Sequence, residues 1–220
     1  AKFNTKTPSG FPECNPAQEQ VRQHWIKIIQ STFESYGFIA TTTPLVEREE
    51  NLLGKGGNPK EMYVLKRLHD EDGDTSHSGN ALRFDHTVPL ALYVARNMND
   101  ITFPFKRFVI GPNFRGERPQ KGRFRQFDQC DIDIIGSEKL SVKNDGLVVG
   151  VMCKVLEQFG IGDFEVKINN RKILQGVFES ESLSVNREEI TLKQFLDIID
   201  DLEKVGEEKT KLLLGKLGIN

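Results

Sequence analysis

Long apolar runs are missing from this chain. No stretch approaches the ~20 consecutive apolar residues that a membrane-spanning helix needs, and the first residues carry no apolar signal-peptide core. Cysteine is scarce. Cys14, Cys130 and Cys153 are odd in number, scattered, and form no C-x-x-C pair. That speaks against a disulfide framework and against a zinc site, and makes a reducing, cytoplasmic setting the expectation. A surplus of positive charge is also absent: the formal net charge is -2 and the pI about 6.2. This is not the footprint of a dedicated nucleic-acid clamp, although local basic hairpins remain possible. Internal repeats and low-complexity segments are lacking too. What remains is 220 residues, 37% hydrophobic and 28% charged, the composition of a soluble globular protein of one generous domain or one and a half.

The most informative stretch is Phe114–Gly136, FRGERPQKGRFRQFDQCDIDIIG. Arg115, Arg118, Arg123 and Arg125 bracket a short loop that contains Gly122, and Arg107 lies just upstream. Phe105–Arg115 and the residues after the loop read as the two strands of an antiparallel hairpin. By the strand period of two, Phe127, Gln129, Asp131 and Asp133 share one face, and Cys130, Ile132 and Ile134 share the other. The apolar face suits a core. A row of one amide and two carboxylates suits the floor of a polar pocket. Guanidinium forks pair with carboxylate and phosphate, so the hairpin can hold an anion at one end and a cationic or hydrogen-bonding group at the other. A zwitterionic amino acid beside a nucleotide phosphate fits. On the arginines alone, a basic hairpin in ordinary surface ion pairs fits as well.

Asn15-Pro16-Ala17-Gln18 spells a helix start. Val21, Trp25, Ile28, Ile29 and Tyr36 continue at helical spacing up to Gly37. Phe38–Thr43 reads as a strand ended by Pro44. Gly54–Pro59 is a glycine-rich loop without the Walker spacing. Met62–Leu68 reads as a strand, and the acidic segment after it, with His69, Asp70, Asp72, Asp74 and His77, as a hairpin tip, not a metal site. Ala81–Asp85 is a short strand and 86–98 a helix. Asp85 sits where the two meet, placed either to cap the helix or to face a pocket. Leu147–Phe159 is an amphipathic helix ending at Gly160, Phe164–Ile168 a strand, and Asn169-Asn170-Arg171 opens a helix to about Phe178. From Ser180 charge becomes dense, and Leu192–Leu202 and Leu212–Leu217 mark further helices.

The block FRGERPQKGRFRQFDQCDIDIIG closely resembles the second signature motif of class II aminoacyl-tRNA synthetases, in its histidyl-tRNA synthetase form. ALRFDHTVPLALYVA resembles that family's histidine-contacting segment, and FIATTTPLVE its first motif. INNRKILQGVF resembles the stretch where its inserted domain begins. The resemblance runs from about Phe11 to Phe178. It implies an α+β fold, with an antiparallel β-sheet flanked by helices as a partial catalytic core over 1–178, and the start of a helical inserted domain over 179–220.

The resemblance also implies roles. Arg115 would bridge the nucleotide α-phosphate and the substrate carboxylate as the catalytic residue. Asp85, Thr87 and Gln129 would receive the histidine ammonium, and Asp133 its imidazole. Glu117 and Arg123 would meet the adenine and outer phosphates of ATP, with Mg2+ sharing the charge. Pro44 would support a homodimer, and tRNA(His) would be the acyl acceptor. Leu82-Arg83-Phe84-Asp85 departs from the Leu-Arg-Pro-Glu of many relatives, but the aspartate still supplies an anion. The family's third motif and anticodon-binding domain have no counterpart before Asn220, so the 220 residues are expected to be a fragment with weak or no aminoacylation by themselves. Two other classes are open: a non-catalytic regulatory paralogue of histidine biosynthesis, and a tRNA-binding pseudo-synthetase domain.

Overall fold

A computed structural model describes residues 3–54, 59–67, 79–180 and 191–219. The Gly54–Pro59 loop centre and the acidic tip with His69, Asp70, Asp72, Asp74 and His77 lie outside the described residues. The chain divides into two compact units, Ala1–Asp163 and Phe164–Asn220.

The first unit is built on a hairpin. Strand β4 (Phe105–Phe114) runs antiparallel to β5 (Gln126–Ile135), with Arg107 opposite Asp133, Phe108 opposite Ile132 and Gly111 opposite Gln129. Strand β1 (Ile39–Ala40) lies on the far side of β4 and runs parallel to it. The sheet is thus the expected antiparallel hairpin with one short parallel strand at its edge. β1 also covers only two residues of the expected strand 38–43; beyond it the chain keeps one more ladder bond, from Thr41 N–H to the Phe108 carbonyl. A second, two-stranded sheet pairs β2 (Val46–Arg48) antiparallel with β3 (Asn80–Leu82). The expected strand 62–68 contributes a single bridge, Val64 to Ala81.

Helix α1 (Pro16–Ser35) starts as its sequence dictates. The Asn15 side chain accepts from Gln18 N–H, and the Gln18 side chain accepts from Asn15 N–H. Helix α2 (Glu49–Gly54) follows β2. Helix α3 (Thr87–Arg96) follows β3, and α4 (Lys143–Phe159) ends at a left-handed Gly160. Phe33 of α1, Phe38, Phe108 of β4, and Val151 and Val155 of α4 form the core. Ile132 and Ile134 of β5 pack onto it. This is the apolar face of the alternating pattern, so the opposite face is left to Arg107, Gln129, Asp131 and Asp133. Cys130 shares the core side by parity but is exposed.

In the second unit α5 (Arg171–Glu179), α6 (Leu192–Asp200), α7 (Leu202–Val205) and α8 (Glu207–Lys216) gather around Phe178, Phe195 and Ile219. Asn170 caps α5, and Thr191 with Gln194 forms a capping box on α6. Phe178 packs on Phe195 at 5.4 Å between ring centroids, so α5 packs with α6 within this unit. Residues 164–168 form no strand; alternating apolar residues there find no partner strand among the described residues.

Two substitutions test this packing. Phe108→Ala removes a ring from the middle of the core and is expected to lower unfolding free energy by about 3–5 kcal/mol. Asn15→Ala removes the reciprocal cap of α1 and is expected to cost about 1 kcal/mol. Denaturant titration of each variant measures both.

Candidate active site

The arginine hairpin is strapped from two sides. Gly10 accepts from Arg125 N–H at 2.8 Å and Gln126 N–H at 3.2 Å through its carbonyl. A side chain at Gly10 would meet Arg125 Cγ at 2.8 Å and Pro119 Cγ at 2.9 Å, so only glycine allows the approach. From the other side, Gly116 N–H donates to the Glu61 carbonyl at 2.7 Å. Arg125 ties the loop internally, donating from Nε to the Glu117 carbonyl at 2.9 Å and from Nη1 to the Ser9 carbonyl at 3.2 Å.

These straps present Arg115 at the open end of the polar row. Its guanidinium carbon lies 4.7 Å from the Phe84 ring centre and 5.2 Å from that of Phe127. Its Nε donates to the Phe84 carbonyl at 3.3 Å. No ion pair engages it among the described residues. A half-buried cation held between two aromatic rings, with its terminal nitrogens unclaimed, is suited to meet an anion. Gln129, Asp131 and Asp133 on the adjoining row are half-buried, so the floor is open to a ligand.

Glu117 and Arg123 pair with each other. The Arg123 hydrogen bond, with the charges of Arg123 and Arg115, holds the Glu117 carboxyl below its usual range against some burial. Each is thus occupied by the other, and Arg118 is exposed. Asp85 takes the capping role that the sequence offered. Its Oδ1 accepts from Thr87 N–H at 2.8 Å and Val88 N–H at 3.1 Å, capping α3. Thr87 is exposed as the first residue of that helix, and Asp85 is half-buried beside Phe84, the residue that Arg115 contacts. Asp133 lies 2.8 Å from Arg107 Nη2. Burial raises the Asp133 carboxyl and lowers the Arg107 guanidinium, and in each case it outweighs the attraction of the pair. Pro44 is exposed, far along the chain from the hairpin, next to an open groove of about 590 Å³ lined by Ile26, Thr41, Thr43 and Leu45.

Three polar residues beneath the floor were not anticipated. Arg83, His86 and Asn113 are each at most 2% exposed. Arg83 compensates its burial with donors to Asn113, Pro112 and Thr43. His86 has no hydrogen-bond partner for either ring nitrogen among the described residues. Burial and the Arg83 and Arg107 cations lower its pKa, against the pull of Asp131 and the Gly111 backbone. The signal in the sequence was an arginine and a histidine inside an apolar stretch, ALRFDHTVPL, and an asparagine on the same parity of β4 as Arg107.

A histidine buried in its neutral form takes up fewer protons than the same residue in the unfolded chain. Stability is therefore complete above the ordinary histidine value of 6.5 and falls as pH drops below it. The unfolding free energy is expected to decline from pH 6.5 to 5, and His86→Gln is expected to lose most of that slope. Denaturant melts of both proteins across this range decide it; an unchanged slope in the variant assigns it elsewhere.

The comparisons with known proteins agree with one another. A family model described as Histidyl-tRNA synthetase matches residues 10–211. The chain is 46% identical over 228 residues to the histidine–tRNA ligase of Nostoc sp. PCC 7120, covering 100% of itself and 48% of that protein. It is 42% identical to that of Clostridium tetani, covering 96% of itself and 45% of that protein. The crystal structure of histidyl-tRNA synthetase from Nostoc sp. PCC 7120 superposes with a TM-score of 0.83 at 44% identity, over 100% of this chain and 46% of that one. A structure from Bacillus halodurans described as an ATP phosphoribosyltransferase regulatory subunit/histidyl-tRNA synthetase shares the fold, at TM-score 0.63 and 18% identity. The chain spans about half the length of the curated relatives it matches. With a strapped arginine hairpin, a polar row on the face away from the core, and this agreement across nearly the whole chain, the protein belongs to the histidyl-tRNA synthetase family.

Proposed function

We propose that this chain carries the amino-acid and nucleotide site of a histidine–tRNA ligase. The observation that supports it best is Arg115, held between Phe84 and Phe127 at the end of the row Gln129, Asp131, Asp133 and free of ion pairs among the described residues. Histidine enters with its carboxylate on Arg115. Its ammonium meets Asp85, Thr87 and Gln129, and its imidazole meets Asp133. ATP lays its α-phosphate on the other edge of the same guanidinium, while Glu117 and Arg123 separate to take the adenine and the outer phosphates. A carboxylate is already ionised at neutral pH, so no general base is required. Its oxygen attacks the α-phosphorus in line, the bond to the bridging oxygen breaks, and pyrophosphate leaves with the electron pair. The protein's share is alignment and charge neutralisation. Magnesium would arrive with ATP, held by its phosphates and sharing their charge with Arg115 and Arg123; among the described residues no group of three or more His, Cys, Asp or Glu could hold it alone. The acyl group then passes to the terminal ribose of tRNA(His).

The remaining assignments belong to the same reading. The exposed Pro44 and the groove beside it support a homodimer seam; sedimentation as a monomer at micromolar concentration would remove the dimer. The helical unit after Phe164 is read as the start of an inserted domain. No described helix is long and apolar enough to cross a membrane, and a cytoplasmic setting is proposed. The regulatory-paralogue and RNA-binding readings predict ligand or tRNA binding without chemistry.

Histidine-dependent exchange of pyrophosphate into ATP, measured on the protein at its full natural length, separates these classes. Arg115→Ala is expected to lower exchange by about 10²–10³-fold, and Arg115→Lys to recover only part, because an ammonium cannot fork between two anions. Equal exchange in wild type and Arg115→Ala would overturn the assignment of Arg115. Histidine binding with no exchange in the wild type would favour the regulatory paralogue.

A further inference from the structure

Asn113 is fully enclosed on the polar side of β4, and its hydrogen bonds run in one direction. Arg83 Nε donates to Asn113 Oδ1 at 2.9 Å. Asn113 Nδ2 donates to Gln129 Oε1 at 2.7 Å. Gln129 Nε2 donates to Asp131 Oδ2 at 3.1 Å. A guanidinium only donates and a carboxylate only accepts, so both amides between them must point the same way. Arg83 cannot turn to reverse the order. It is 2% exposed, and its other nitrogens donate to the Thr43 carbonyl at 3.1 Å and the Pro112 carbonyl at 2.7 Å. The space over Gly111 is already taken, since a Cβ there would lie 3.3 Å from Arg83 Nη2 and 3.9 Å from His86 Cε1.

We propose that Arg83 and Asn113 are positioning residues that fix the amide of Gln129, so that the site selects an α-amino acid over the same molecule without its amine. The proposal rests on the histidine site argued above. One lone pair of Gln129 Oε1 takes the Asn113 N–H and the second stays open, while the Gln129 NH2 group is drawn aside by Asp131. An arriving ammonium therefore meets an acceptor. A flipped amide would present N–H to a cation and repel it. The choice is fixed from both ends of the chain of bonds: by Asp131, which accepts from the Gln129 NH2, and by Arg83, two hydrogen bonds away on the far side of Asn113.

Direct titration of L-histidine and of imidazole-4-propionate, which lacks the amine, tests the proposal on the protein at its full natural length. Asn113→Asp keeps an acceptor for Arg83 and removes the N–H that holds Gln129 Oε1. Histidine affinity is expected to fall about tenfold or more, the scale of a hydrogen bond to a charged group, while imidazole-4-propionate changes less than about twofold. Gln129→Met removes the oxygen from a half-buried position and is expected to abolish the same preference, which keeps the test available if Asn113→Asp does not fold. Equal weakening of both ligands in these variants, or an unchanged preference, overturns the proposal. A wild type that binds neither ligand overturns the histidine-site reading and the selection with it. The orientation of Gln129 is then decided by melting temperature: Asn113→Asp combined with Asp131→Asn reverses donor and acceptor at both ends of Gln129 and should recover stability lost in Asn113→Asp alone.

Discussion

The unbroken antiparallel ladder between Phe105–Phe114 and Gln126–Ile135 is the constraint on which the first unit depends. Its register assigns every side chain of two ten-residue strands to one of two faces. One face takes Phe108, Ile110, Ile132 and Ile134 to the core beneath α1 and α4. The other receives Arg107 with Asp133, and Gly111 with Gln129, as direct neighbours. A slip of one residue would bury the carboxylates under the helices and expose the isoleucines. Hydrophobic burial on one side therefore positions the polar chemistry on the other.

Below the polar row the protein carries an unusual share of buried charge. Arg83 and Arg107 are each at most 3% exposed, and Glu47 is buried near Arg83 and Arg96. Burial pushes Glu47 up, and the two guanidiniums pull it back. Such groups are expensive unless their hydrogen bonds are met. Arg83 meets them with backbone and side-chain oxygens from two segments, Thr43 and the adjacent pair Pro112 and Asn113. The same bonds join the residue after β3, the segment before Pro44 and the far end of β4. A polar layer of this kind contributes less to stability than apolar packing would, but it fixes one arrangement of the segments that line the site.

The sequence made some of this legible and hid the rest for physical reasons. The hairpin and its two faces follow from a local period, and so do the caps at Asn15, Asn170 and Gly160. The family follows from a contiguous motif, so the arginine loop could be read without coordinates. Strand 164–168 could not be judged locally, since alternating apolar residues make a strand only when a ladder partner is present. The boundary at Asp163 depends on Phe178 meeting Phe195 and Ile219, contacts between residues far apart in sequence. Asp85 was ambiguous in sequence because a carboxylate at a strand-to-helix junction suits a cap as well as a pocket; its Oδ1 caps α3. Arg83, His86 and Asn113 stayed hidden because what they touch is set by contacts between segments far apart in sequence, Arg83 with Thr43, Pro112 and Asn113, and Asn113 with Gln129, which no single segment encodes.

The aromatic bracket around Arg115 has a consequence for how a ligand is received. A free arginine samples many rotamers, and ordering one on binding costs about 0.5–1.5 kcal/mol. Here Phe84 and Phe127 already narrow that freedom, and the bond to the Phe84 carbonyl fixes the near end of the side chain. Most of the ordering is thus completed during folding, before any anion arrives. The rings also shed water from the parts of the guanidinium they cover, so its charge is partly desolvated there and stays available to an anion on the rest.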